Sequence, residues 1–187
     1  MRRFDEENAR DPNSVVVDGA PRPRELVYAE WLTAWVIRLK PDASEELRLA
    51  ARSQHLCRWM IPRNSYPMTR AGYLKWREEL KKYHAQRASE ILKEAGYGEV
   101  AIERVRDLVL KKNLADSETQ TLEDALCLVF LEHQLVELAK KTSDDKVINA
   151  LQKSWKKMSA RGRAEALKLS YGPREKALLE QALNAIS

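Results

Sequence analysis

Cysteine occurs only twice in the 187 residues, at Cys57 and Cys127. Neither belongs to a Cys-x-x-Cys pair, which excludes a zinc ribbon and a dithiol redox motif. Each stands in an apolar helical context that predicts a buried, reduced thiol. Glycine and proline are also scarce, at six and seven, and they gather in a few connecting stretches that leave long unbroken segments for helices. No run approaches the 18 apolar residues of a membrane span. Met1-Arg2-Arg3-Phe4-Asp5-Glu6-Glu7 lacks the apolar centre of a signal peptide, so a cytoplasmic protein is expected. No segment of length alternates with period two, so strands are not expected, and no internal repeat or low-complexity tract is present. A Gly-rich phosphate loop, His-Glu-x-x-His, Gly-x-Ser-x-Gly, a zinc finger and an RNP signature are all missing.

What remains is helical. Hydrophobic residues make up 44% and charged residues 33%, a composition able to fold as one all-α domain over residues 1–187. The pattern predicts a bundle of about six to eight helices. A short initial helix and a turn-rich loop occupy 1–23. The first long helix spans about 24–39, with Leu26, Val27, Trp31, Leu32, Trp35 and Val36 at helical spacing. Ser44 suits an N-cap, followed by Glu45 and Glu46 in the first turn, for a helix reaching about Met60. After a loop at 62–67, Thr69 or Arg70 opens a long helix toward Gly96, with Gly72 clouding its start. Further helices are expected at about 99–112, 121–141, 144–158 and 173–185. The stretch 113–120 is a loop.

Charge is unevenly spread. Residues 48–87 hold ten basic side chains against Glu78 and Glu79, an excess greater than the +5 of the whole chain. Such a field suits a phosphate-bearing partner, although Lys75 to Lys82 also fit a solvated helix face. Arg48, Arg52, His55 and Trp59 follow one another at spacings of four, three and four, which places them on one helix face. That face either holds an anion or simply points to water, opposite Leu47, Leu49, Ala50, Leu56 and Met60. An imidazole among arginines is held neutral, the form that binds a metal. His84 shares a face with Leu80, Ala88 and Ile91, so it is a core residue or a ligand. The run Ala125 to Leu131 is apolar all round, which marks a central helix. Asp124 and Glu132, eight residues apart, stand about 80° from each other around it. Glu123 and Asp124 also suit a helix N-terminus, whereas Glu132 lies mid-helix. The basic stretch Trp155 to Arg163 fits either polynucleotide phosphates or a surface loop.

Glu25-Leu26-Val27-Tyr28, Arg52-Ser53-Gln54-His55 with Arg58-Trp59, Ile61-Pro62-Arg63, Tyr66-Pro67, Arg70-Ala71-Gly72-Tyr73, His84 and the segment Gln120 to Glu132 together resemble the domain of unknown function 4202 family. The helix order is also similar, more weakly, to the HD superfamily of metal-dependent phosphohydrolases, which would make 24–141 an HD-like core and 142–187 a set of C-terminal helices. In that resemblance Leu49 to His55 stand for the helix ending in a His-Asp pair. His84, with Ala88, Ile91, Leu92 and Gly96, stands for the second element, and Leu128 to Glu132 for the last. Leu56 replaces the Asp of the pair. No His precedes residue 55, which leaves Glu25 or Glu30 as substitutes for the first ligand.

The resemblance implies a metal-dependent hydrolase of a phosphorylated small molecule or nucleotide. A divalent ion (Mn, Fe or Zn) on His55, His84 and Glu132 would activate a water, with Asp124 alongside. Arg52, Arg58 and Arg63 would clamp the phosphate. The alternative is a non-catalytic binder of a nucleotide or RNA through the same arginines. A third reading is a helical interaction protein with surface charge only. An anionic ligand is expected as the partner, a nucleic acid is an open alternative, no membrane is expected, and the oligomeric state is left open.

Overall fold

A computed structural model describes residues 1–113 and 115–185. Leu114, in the stretch expected as a loop, and Ile186 and Ser187 lie outside the described residues. The described residues are mostly helical, as the periodicity predicts. The chain divides into two compact units, Met1–Thr119 and Gln120–Ser187, with the boundary inside one helix.

The first unit opens with α1 (Arg2–Asn8). The stretch expected as a turn-rich loop is instead an antiparallel hairpin, β1 (Ser14–Val17) and β2 (Ala20–Pro23), with Val15 opposite Arg22. Asp18 and Gly19 both take positive φ, 51° and 80°, which gives the reverse-twisted two-residue turn that matches strand twist. Then come α2 (Arg24–Leu39), α3 (Glu45–Ser53), α4 (Arg70–Glu94) and α5 (Glu99–Leu110). Val27, Leu32 and Val36 of α2, Leu47 and Leu49 of α3, Leu80 and Ile91 of α4, and Val105 and Leu108 of α5 are almost fully buried. Each such side chain stabilises the fold by roughly 1.5–3 kcal/mol.

The helix expected to reach Met60 ends at Ser53. Two side chains take the hydrogen bonds that would have continued it. Asn8 Oδ1 accepts the Cys57 N–H at 3.1 Å, and His84 Nδ1 meets the Leu56 carbonyl at 2.8 Å. Cys57 takes φ 54° and the chain leaves through a 3₁₀ turn, Arg58–Met60. His55 therefore lies on a sharp turn, not on the helical face shared with Arg48 and Arg52.

Gly72 belongs to the first turn of α4, because a side chain there would overlap the Pro67 carbonyl. Thr69 Oγ1 accepts the Gly72 N–H. At the other end Gly96 (φ 84°) closes α4, with the Tyr97 N–H bonded to the Leu92 carbonyl and the Gly96 N–H to the Lys93 carbonyl, the paired closure expected of glycine there.

In the second unit, α6 (Ser117–Val129) begins four residues earlier than expected, because Asp116 accepts the Thr119 N–H and caps it. A π turn, Phe130–Gln134, separates it from α7 (Leu135–Lys141), so the long apolar helix is two helices. α8 (Asp144–Lys157) follows. The basic stretch Trp155 to Arg163, weighed as a polynucleotide contact or a surface loop, covers the end of α8 and the start of α9 (Ala160–Ala166), and α10 (Pro173–Asn184) is the last helix. Leu122, Leu128, Leu135, Val147, Leu151 and Leu178 form this unit's core. The described residues thus hold ten α-helices, more than the six to eight expected, because the π turn divides one and α9 adds another.

Candidate functional site

α2 begins behind Pro23, a residue with no side chain able to cap. Asp11, fourteen residues upstream, supplies the missing acceptor, and its Oδ2 takes the Glu25 N–H at 2.9 Å. This fixes Glu25 at the first turn of α2 with its carboxyl inside the unit, 7% exposed. The turn after α3 places His55 against it, with Nδ1 3.3 Å from Glu25 Oε2. The His55 ring stacks on Tyr28 one turn along α2, with centroids 4.0 Å apart and planes 12° from parallel. His84, from the middle of α4, brings its ring centroid to 5.9 Å from that of His55. Arg58 Nε lies 4.0 Å from Glu25 Oε1, and its guanidinium rests over Trp76, 4.8 Å from the ring centroid. The Trp76 Nε1–H donates to the Ile61 carbonyl, which holds that platform still.

The electrostatics are those of a desolvated acid–base cluster. Burial raises the Glu25 carboxyl to about 7, with Arg58 pulling down and Asp11 pushing up. Burial, followed by the charge of Arg58, holds His55 well below its ordinary value. Burial and the neighbouring His55 lower His84 to about 3. Both imidazoles are therefore neutral at pH 7, while Glu25 exchanges its proton there. The expectation that arginine keeps His55 neutral has the right direction, but burial is the larger cause. His84 donates from Nδ1 to the Leu56 carbonyl, which leaves Nε2 as a lone pair. That buried Nε2 and Glu25 Oε2 have no hydrogen-bond partner among the described residues. The 3.3 Å approach of Glu25 to His55 is an ion-pair distance without hydrogen-bond alignment. His55 and Arg58 keep 23% and 30% of their side chains accessible, so the cluster opens to solvent on their side.

The other expected residues fall elsewhere. Arg52, expected as part of a phosphate clamp, is held by Asp5 at 2.5 Å, with Glu30 at 3.9 Å. Arg63, expected beside it, donates to the carbonyls of Tyr66, Pro67 and Thr69. Of the three expected phosphate-binding arginines, Arg58 alone stands at the cluster. Glu25, not Glu30, joins His55, since Glu30 pairs with Arg22. Asp124, expected as catalytic, accepts from the Ser159 N–H and Oγ–H and from Gln120 Nε2 in the second unit. Glu132 is half-exposed in that unit, 3.1 Å from His133 Nε2. Tyr28 and Asp11 are contributors that sequence reasoning did not single out. For Asp11 the available signal was a helix start behind a proline with no capping residue of its own.

Among the described residues no group of three or more His, Cys, Asp and Glu side chains is placed to hold a metal ion. One observation bears on the expected metal directly. The Nδ1–H of His84 on a carbonyl leaves Nε2 able to coordinate, but the Arg58 cation stands 4.0 Å from the Glu25 carboxylate that would complete a ligand set. A fixed positive charge at that distance opposes a divalent cation.

A mostly helical chain with a part-buried Glu–His–His–Arg cluster next to its N-terminal hairpin is the class that the geometry defines. The family model for the domain of unknown function (DUF4202) matches residues 1–179, and the chain belongs to that family. Neither a curated protein nor a solved structure matches it.

Proposed function

We propose that the first unit carries an acid–base site for hydrolysis of a phosphate ester on a small molecule. One observation carries this reading. A carboxyl poised near pH 7 and a buried imidazole lone pair, neither with a hydrogen-bond partner, sit beside the partly accessible His55 and Arg58. Buried polar atoms without partners are uncommon, and a bound water or ligand is one way they are satisfied; carboxyls tuned toward 7 suit general acids and bases.

In this reading Arg58 binds the phosphate oxygens with its planar guanidinium, steadied by Trp76. Ionised Glu25 takes a proton from water as the water oxygen bonds to phosphorus. The ester P–O bond breaks, the departing oxygen takes a proton from solvent at the open side of the cluster, and Glu25 returns its proton to solvent there. His84 Nε2 accepts a hydrogen bond from the attacking water and orients it. His55, stacked on Tyr28, packs against the Glu25 carboxyl and lines the approach to it.

Phosphate release from a panel of nucleoside monophosphates, sugar phosphates and p-nitrophenyl phosphate tests the proposal between pH 5 and 9. Wild type is expected to turn over at least one member, with the rate rising through about pH 7. Glu25→Gln is expected to lose 10²- to 10⁴-fold, and Arg58→Ala chiefly to raise KM. Equal release by wild type and Glu25→Gln, or none from any member, overturns it.

A further inference from the structure

From Leu47 to Arg77 the chain carries seven basic residues and no acid. The C-terminal part of this stretch forms a series of guanidinium groups and aromatic rings. Arg58 lies over Trp76 at 4.8 Å, Arg63 lies 5.9 Å from both Trp76 and Tyr73, and Arg77 also lies 5.9 Å from Tyr73. Along α4, Arg70, Tyr73, Leu74 and Arg77 follow the i, i+3, i+4, i+7 spacing of one helix face. That spacing ordinarily marks a buried stripe, yet here all four are exposed, Tyr73 at 41% and Leu74 at 56%. In the same part of α4, Trp76 and Leu80 turn inward, on the face that His84 continues.

No carboxylate among the described residues lies within ion-pair distance of Arg63, Arg70 or Arg77. Arg63 is held rigid by three neutral carbonyls, so its position is fixed and its charge is not cancelled. A carboxylate-free set of cations, one of them fixed, seeks a polyanion. The exposed Tyr73 ring beside these guanidinium groups offers a base a stacking face that is indifferent to sequence.

We infer that this face of α4, with the loop before it, binds a single-stranded polynucleotide, its phosphates on Arg63, Arg70 and Arg77 and a base on Tyr73. The face continues inward to Arg58. The surface binds the strand whether or not Glu25 performs chemistry. A lipid surface is the competing occupant, because Met60 and Met68 are exposed nearby. The pairing of rings with cations favours the strand, since each ring lies beside charge.

The test is fluorescence anisotropy of the full chain with a fluorescein-labelled 20-nucleotide oligouridylate from 50 to 300 mM NaCl. The expected result is saturable binding that weakens with salt. Arg70→Gln/Arg77→Gln is expected to bind at least tenfold more weakly, with a salt slope shallower by about 1.4, two phosphate contacts' worth for a single strand. Tyr73→Ala is expected to weaken binding severalfold at unchanged slope. The charge-matched Lys153→Gln/Lys156→Gln is expected to bind as wild type, and thermal melts confirm that each variant is folded. Absence of saturable binding at 50 mM salt overturns the inference. So does an undiminished Arg70/Arg77 variant, or an equal loss in the Lys153/Lys156 control. Binding instead to phosphatidylcholine–phosphatidylserine vesicles, lost in the same arginine variant, assigns the face to a lipid surface and overturns it too.

Discussion

Glu25 and His84 pull the stability of the protein in opposite directions as pH changes. Glu25 titrates at about 7 in the folded chain and near 4.5 when exposed, so the folded state holds the extra proton between those values. Its contribution is present below pH 4.5 and is lost as pH rises to about 7. His84 titrates at about 3 when folded against 6.5 ordinarily. The unfolded chain then holds the extra proton, and stability is lost as pH falls below 6.5. His55 acts with His84. Between pH 4.5 and 6.5 each group contributes a slope of up to about 1.4 kcal/mol per pH unit. Urea unfolding across this window is expected to show Glu25→Gln gaining stability with pH more steeply than wild type, by about that amount. His84→Gln, which keeps a donor for the Leu56 carbonyl, is expected to show the slope displaced the other way. Parallel curves for all three proteins would contradict the burial of these groups. None of this was legible in the sequence beyond the candidacy of His55, His84 and Glu25. Spacing ranks residues on a helix face, but burial and the choice between Glu25 and Glu30 depend on where Asp11 and Arg22 lie.

Elements carry their own assignments. Asp124, expected as catalytic from its place on the apolar helix, caps α9 through Ser159. A Cβ at Gly162 would stand 2.6 Å from its carboxyl. Asp124→Ala is expected to destabilise the second unit by about 2–4 kcal/mol, because three donors lose their acceptor. Gly162→Ala is expected to be destabilising through the clash with Asp124. Both are measured by denaturant unfolding, and phosphate release by the folded fraction is expected to stay at the wild-type level. A loss of release without a loss of stability would restore a chemical role to Asp124. Helix existence was legible from periodicity, most clearly for α2, α4 and α10, whose bounds lie within two residues of expectation. What escaped were breaks made by tertiary contacts. Asn8 and His84 end α3 early, and the π turn at Phe130–Gln134 interrupts an unbroken apolar run. The hairpin is a different case. Asp18-Gly19 between Val15-Val16-Val17 and Ala20-Pro21 is a strong turn signal, but strands of four residues are too short to establish alternation.

At the scale of the whole molecule, charge was the most legible property. The excess of cations over 48–87 is visible in the sequence, and the structure sorts it into two uses. Arg52, Arg58 and Arg87 meet Asp5, Glu25 and Glu7 and tie α1, α2 and α4 into the first unit, while Arg70 and Arg77 remain on the surface. The family membership was legible as well, because its segments recur in order along nearly the full chain. With no three-donor group among the described residues, prolonged chelation is expected to leave the melting temperature unchanged, as read by circular dichroism. A fall of several degrees would reinstate a structural or catalytic ion.

Cys57 offers the molecule a clock of its own. Its thiol is buried, 3.6 Å from Glu7, and burial with that carboxylate pushes it up to about 11. Its backbone is tied to Asn8, so both of its neighbours belong to α1. Departure of the N-terminal helix is expected to open this sulfur to an alkylating reagent. The rate of Cys57 modification, followed by mass spectrometry of the digested chain so that it is told from the equally buried Cys127, is expected to rise with how often α1 departs. Arg87→Ala, which releases Glu7 from its partner on α4, is expected to make that clock run faster.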